Sequence, residues 1–282
     1  MDINALLKVE VGLAWIVASL YGISFIIGLR GLLFHKGNGS NGMILVMKIT
    51  ACLHVLLVLL RAYEVQRLPL QTIYEAISFF AFLSSMVYLL INDKLIKKSS
   101  PGVLISGIAF SSFLYGLLGR DPFILTTFVK FNSQWFELHT LSAFLAYALL
   151  TVGFAIEICC GLPFKSRNSK PESFQAETNT ETLAYKLTAT AFPFLTLSIL
   201  LGMLWAYDLW GVYWIWDPKL TWTFIMWIIY SAYLHSKSVS WLKGKPSSFL
   251  HVSAYLCLLF SFLGTDWFTT TLGTLQKCHM SL

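Results

Sequence analysis

The amino-acid sequence predicts an all-α membrane protein, a polytopic bundle of about eight transmembrane helices forming one domain over residues 1–282. Three observations carry this expectation. Hydrophobic residues make up 56% of the chain and charged residues only 12%, and the mean hydropathy is +0.68, well above the range of soluble domains. Apolar stretches recur at lengths that suit the ~30 Å hydrocarbon layer, which takes about 20 helical residues to cross. Lysine and arginine fall in short clusters between those stretches rather than in one patch. The formal charge of +6 therefore reads as a topology signal and not as a nucleic-acid-binding surface.

The first apolar run covers about 11–34. It has no basic leader and exceeds the ~7 to 15 residues of a secretory signal core, so it is expected to remain as a span. The second, third and fourth runs cover about 43–62, 73–92 and 101–119. The fifth, 138–161, follows the polar segment NSQWFELH (Asn132 to His139). Residues 162–186 are polar and poor in aromatics, which predicts a mobile cytoplasmic loop. Runs at 187–208, 220–236 and 249–272 complete the set, with a tryptophan-rich loop at 209–221 between the sixth and seventh.

Thirteen lysines and arginines on one side, Lys94, Lys97, Lys98 and Lys165 among them, stand against seven on the other, which include Arg61, Arg67, Arg120 and Lys219. The excess marks the inner side. Both termini and the tryptophan-rich loop are then extracytoplasmic. The five cysteines include no CxxC, which argues against redox catalysis by this chain.

Six of the ten tryptophans lie between Trp205 and Trp227, with WGVYWIWDPKLTW (Trp210 to Trp222) at their centre. Interface anchoring accounts for Trp15, Trp135, Trp241 and Trp267. Such density elsewhere suits a platform for a large planar ligand such as a porphyrin. His139 is expected at the outer boundary, level with this platform. His235 lies fourteen residues past Thr221, which at ~1.5 Å per residue is ~21 Å into the layer. An ionisable group there is costly and by default faces the bundle interior or a pathway, so His235 is a site candidate. Neutral imidazole is a suitable axial ligand for iron. The plainer alternative for both histidines is hydrogen bonding within the bundle, and for His54 and His251 that alternative is the favoured one.

YWIWDPKLTW, preceded by LGMLWAYDLWG and followed by a helix ending YLH, resembles the tryptophan-rich (WWD domain) signature of the cytochrome c assembly family, the CcsA-type proteins with their relatives CcmC and CcmF. The pattern WGxYWxWDPKETW is reproduced except for its glutamate, which is Leu220. LPLQTIYEAISFFAF (Leu68 to Phe82) resembles the LYESL-type segment of CcsA-type proteins. QWFELHTLSAFLAYALL (Gln134 to Leu150) resembles the helix bearing their first external heme histidine. The similarity covers about 65–272.

That resemblance implies heme transport and heme binding in system II cytochrome c-type biogenesis. Heme b would be the transported substrate, held at a transmembrane site that includes His235 and then at an external site with His139 as axial ligand. His139 and His235 are thus the implied metal ligands. Trp210, Trp214 and Trp216 would stack on the porphyrin face, Lys219 or Arg120 would meet its propionates, and Asp217 and Trp222 would complete the surround. An apocytochrome c would present its CxxCH to the external heme. The chain would be one subunit of a holocytochrome c synthase (heme lyase), with no catalytic base of its own. Its partner would be a CcsB/ResB-like membrane protein able to supply the ligand opposite His235, and thiol-reducing proteins would act indirectly. The implied location is a bacterial inner (cytoplasmic) membrane or a thylakoid-type membrane.

Two departures accompany the resemblance. The second external histidine belongs to a GLHSY-type stretch after the last helix, where this chain reads TLGTLQKCH with Gly273 in its place. The nearest histidine is His279, a ligand only if the tail folds back, with Cys278 a weaker candidate. The other departure is Leu220. A HemX-like role in heme biosynthesis is the sibling alternative, and a secondary transporter of a planar solute the alternative from another class. A transporter is expected to carry broken half-helices in repeated halves, and the sequence shows no internal repeat.

Overall fold

A computed structural model describes residues 3–34, 38–95, 100–119, 133–161 and 171–264. Its helices are α1 (Ile3–Leu33), α2 (Asn38–Val65), α3 (Ile73–Leu95), α4 (Ser100–Leu118), α5 (Gln134–Ile156), α6 (Pro171–Trp210), α7 (Pro218–Ser236) and α8 (Lys245–Leu259). Short π-helical turns extend α5 over Glu157–Gly161 and α8 over Phe260–Gly264. No strand occurs among the described residues. Six helical segments, Leu6–Leu33, Asn41–Val65, Ile73–Asn92, Ser100–Leu118, Gln134–Cys159 and Thr182–Trp210, are long and apolar enough to cross a membrane. The chain is a polytopic helical membrane protein.

Helices α1 to α4 pack on one another; α5 packs along α6 and α7 along α8, these two pairs meet through α6–α7 and α5–α8, and α5 joins them to the first four through α3 and α4. The seams follow from side-chain size. In lipid, helices associate by close packing rather than by hiding apolar surface, so small residues gather where backbones approach. Ala148, Val152, Ala155 and Ala184 are buried along the α5–α6 seam, and Ala14, Ala18, Ala81 and Ala109 in the α1–α4 group. Large apolar side chains such as Ile16, Leu59, Leu90 and Leu200 point outward instead, where hydrocarbon is the expected neighbour.

Several polar side chains inside the bundle are paired. The Arg61 guanidinium sits 3.0 Å from Glu75, 3.4 Å from Glu64 and 4.0 Å from Glu10, and Arg67 is 2.9 Å from Glu75. Tyr74 donates its hydroxyl proton to Glu10 at 3.0 Å. This network ties α1, α2 and α3 together, so Arg61 and Arg67 serve the fold as well as the charge asymmetry. His54 is fully buried, with Nδ1 3.0 Å from the Tyr21 hydroxyl and Nε2 2.9 Å from the Ser78 hydroxyl. His251, also fully buried, lies with its Nε2 3.3 Å from Thr188 Oγ1 and stacks on Tyr233 at 4.5 Å. Its Nδ1 is 3.8 Å from Glu157, which in turn accepts a hydrogen bond from Ser248.

Three boundaries differ from the sequence expectation. Helix α1 begins at Ile3 and takes in Lys8 and Glu10, because the Glu10 charge has buried partners. Helix α6 begins at Pro171, inside the stretch 162–186 expected as a loop. Proline at the first helical position carries the right φ and lacks only an N–H that would be unpaired there. Residues 162–170 of that expected loop lie outside the described residues. The 40 residues of α6 make a rod of ~60 Å, twice the ~30 Å layer, with Pro193 inside it. The tryptophan-rich loop shortens to 211–217, since α6 runs through Trp210 and α7 starts at Pro218.

Candidate heme-ligand site

Both ends of the tryptophan-rich connection are set by local backbone chemistry. Helix α6 stops at Gly211, whose φ of +70° suits a residue without Cβ, and whose N–H donates to the Tyr207 carbonyl at 2.9 Å. Helix α7 starts at Asp217, in extended conformation, whose carboxylate accepts the Leu220 N–H at 2.6 Å, with Pro218 next. Asp217 is thus the N-cap of α7. Its observed contacts are helical ones, and the Leu220 side chain stands in the turn that it caps.

The rings of this segment do not form one flat wall. Trp214 and Trp216 meet edge-on at 5.6 Å and 77°, so they cannot both lie on one porphyrin face. Two perpendicular indoles instead make a corner. Trp214 also meets Phe224 at 72°, and Trp222 stands edge-on to Phe260 at 4.7 Å. Trp216 is 73% exposed and Trp210 50%, which leaves these two ring surfaces available. Trp227 belongs to the packing between α6 and α7, since its N–H donates to Thr196 at 2.9 Å and its ring stacks with Phe192 and Phe224.

His139 lies in the second turn of α5, half-buried, ~7.5 Å in from the helix start. Its Nδ1 is 2.7 Å from the Ser198 carbonyl; a carbonyl only accepts, so Nδ1 carries the proton. The ring runs nearly parallel to Trp205, at 6.1 Å and 21°. Trp205 in turn contacts Phe136 at 5.1 Å and Trp210 at 6.2 Å. Lys219 is within electrostatic reach of the imidazole. Nε2 makes no hydrogen bond among the described residues. A neutral imidazole with Nδ1–H bonded and Nε2 free is the form that ligates a metal. The surrounding rings suit a planar macrocycle, so the donor set fits an iron porphyrin. Ser133, just before α5, donates to Asp208 near the end of α6 at 3.4 Å, which holds the two helix ends at one level.

His235 is placed differently from the expectation of an inward-facing group. The buried residues of α7 are Met226, Tyr230, Tyr233 and Ser236, and His235, two positions past Tyr233, is turned ~200° from it. It shares the outward face with Phe224 and Ile228 and is exposed on the bundle surface. Its Nδ1 donates to the Ser231 carbonyl of its own helix at 2.7 Å, which again leaves Nε2 open. His235 stands ~27 Å along α7 from Asp217, so it forms no site with His139. Among the described residues no three His, Cys, Asp or Glu side chains gather as a metal group. His279, Cys278, Gly273 and Arg120 lie outside the described residues. Sequence reading missed Ser198 and Gly202, whose signal was their spacing ahead of Trp205 on one helical face.

A family model described as "Cytochrome C assembly protein" matches residues 70–272, a stretch that contains α3 to α8 and the whole tryptophan-rich segment. "Cytochrome c biogenesis protein CcsA" of Chlamydomonas reinhardtii is 28% identical over 253 residues, covering 82% of this chain and 72% of that protein. The protein of that name from Prochlorococcus marinus (strain AS9601) is 26% identical over 266 residues, covering 84% of this chain and 85% of its own. The one from Guillardia theta is 27% identical over 260 residues, covering 83% of each. Among solved structures, "Cytochrome c Heme Lyase CcmF" shares the fold, with a TM-score of 0.71 at 19% identity over 93% of this chain. This chain spans about half of the CcmF chain, 47% of its length. With the match covering most of the sequence and every element of the site, the chain belongs to the cytochrome c assembly protein family.

Proposed function

We propose that this chain is the heme-handling subunit of a CcsA-type cytochrome c synthase, which receives heme b as substrate and presents it at the outer face of the membrane for attachment to an apocytochrome c. The observation that carries the reading is His139. It has its proton committed to the Ser198 carbonyl, its Nε2 unclaimed, and aromatic rings beside it at the head of the tryptophan-rich segment. The exposed surfaces of Trp210 and Trp216 offer porphyrin contact, and the Lys219 ammonium offers a partner for a propionate. Asp217 holds the turn that carries them. The apocytochrome's CxxCH supplies the thiols and takes over the iron, so this chain needs only to bind, orient and release.

His235 extends the proposal to the inner half of the membrane. An imidazole on the outside of a bundle is poorly matched to hydrocarbon and well matched to a neighbouring helix that brings a second ligand. Its exposure supports a CcsB/ResB-like partner packed on the α7 face. The charge asymmetry supports extracytoplasmic termini in a bacterial cytoplasmic or thylakoid-type membrane.

The test is a purification from heme-replete cells, with and without a CcsB-like partner. The expected result is a bis-histidine heme spectrum, with the external heme lost in His139→Ala and the inner heme lost in His235→Ala. A well-folded but heme-free complex would overturn the proposal and leave the HemX-like alternative standing.

A further inference from the structure

We infer that one face of α6 selects the ligating nitrogen of His139, and that Gly202 is the positioning residue that makes this possible. The inference rests on the heme-ligand reading for its purpose, while its geometry stands without heme. Ser198, Gly202 and Trp205 recur at spacings of four and three, which places them on one side of the helix. His139 leans from α5 onto that side. A carbonyl has two lone pairs, so the Ser198 oxygen takes the His139 Nδ1–H at 2.7 Å beyond its helical role. The Ser198 hydroxyl stands 3.3 Å from the same nitrogen. Trp205 backs the ring at 21° from parallel.

Gly202 is what lets the ring come so close. A Cβ built there would lie 2.9 Å from Nδ1 and 3.1 Å from Cε1 of His139, inside van der Waals contact. Glycine inside a helix is destabilising relative to alanine, so it has a tertiary reason to stand mid-helix. That reason is the approach of the imidazole. With Gly202 in place, Nδ1 is the protonated nitrogen and Nε2 carries the lone pair away from α6. Donation of Nδ1–H to a carbonyl also makes Nε2 a stronger donor to iron, which favours the oxidised metal.

The experiment uses the full chain with its partner and compares the wild type with Gly202→Ala and with Met203→Ala as a neighbouring control. The first measurement needs no heme: 15N-histidine NMR of heme-stripped protein reports the tautomer of His139, assigned by its loss in His139→Gln. The wild type and Met203→Ala should show one Nδ1–H tautomer, and Gly202→Ala should lose that single pattern. A wild-type His139 protonated at Nε2 overturns the inference, whatever the fate of the alanine variant. So does an unchanged tautomer in folded Gly202→Ala. The second measurement is the midpoint potential of the external heme, which should rise in Gly202→Ala. The rise should vanish in a His139→Gly background ligated by added imidazole, because a free ring can move away from the new methyl. A potential equally raised in that background points to general loosening and overturns the positioning role. Absence of heme from the wild type defeats the proposed function alone, since the tautomer still decides this inference.

Discussion

Replacing Asp217 separates a helix cap from a ligand contact. In the structure its carboxylate accepts the Leu220 N–H at 2.6 Å, and its backbone carbonyl accepts the Thr221 hydroxyl at 2.7 Å. Asp217→Ala removes the first of these, at a cost of about 1 kcal/mol with a range of about 0.5–2. That is roughly a fivefold increase in the open population of the first turn of α7. Asp217→Asn keeps a capping oxygen and loses only the charge at the helix start, about 0.3–1 kcal/mol. The first turn carries Leu220 and Thr221 and leads into Trp222, whose ring stands on Phe260. Hydrogen exchange measured by mass spectrometry on peptides spanning 211–223 should therefore rise about fivefold in the alanine variant and much less in the asparagine one. Heme content should follow the same order. Equal loss of heme in both variants, with exchange unchanged in both, would refute the cap and assign the carboxylate itself to the ligand.

Arg61→Met removes the guanidinium shared by Glu10, Glu64 and Glu75 and leaves Glu75 with Arg67 alone. Breaking a buried charge network in this way should cost about 3–5 kcal/mol, read as a large drop in thermal unfolding temperature in detergent; a wild-type value would show that the network is not holding α1 to α3. His54→Phe removes both hydrogen bonds that link α1, α2 and α3 through this ring and should cost about 1–3 kcal/mol. It should leave every heme absorption band in place, and loss of a band would put His54 on the heme path.

The number and order of the helices were legible because each run of apolar residues is closed by polar clusters, although among the described residues only six of the eight helices are long and apolar enough to span; α7 and α8 are not. The distance of His235 along α7 was legible too, since rise per residue is fixed. Its face was not: aromatic and apolar side chains surround α7 on all sides, and only the neighbours Met226, Tyr230 and Tyr233 show which side is inward. Asp217-Pro218 carries a readable N-cap and first-turn signal inside the 209–221 stretch expected as a loop. The resemblance implies that Trp210, Trp214 and Trp216 stack on a porphyrin face, but ring angles depend on how the 211–217 turn closes, and that turn sets Trp214 and Trp216 at 77°. Gly202 was illegible for a different reason. Its meaning lies in His139, 63 residues earlier, and only tertiary packing brings the two together.

Pro193 gives the long helix α6 a particular mechanics. It has no N–H to offer the Ala189 carbonyl, so one rung is missing and the rod is softest at that level. Ser198, Gly202, Trp205 and Trp210 all lie beyond it, whereas Ala184 and Thr188, which pack against α5 and α8, lie before it. Those four residues share one uninterrupted run of the helix past Pro193, so a bend at that rung would leave their mutual spacing unchanged. The geometry of the His139 cradle is thereby set by the far part of α6 alone and not by the angle at its proline.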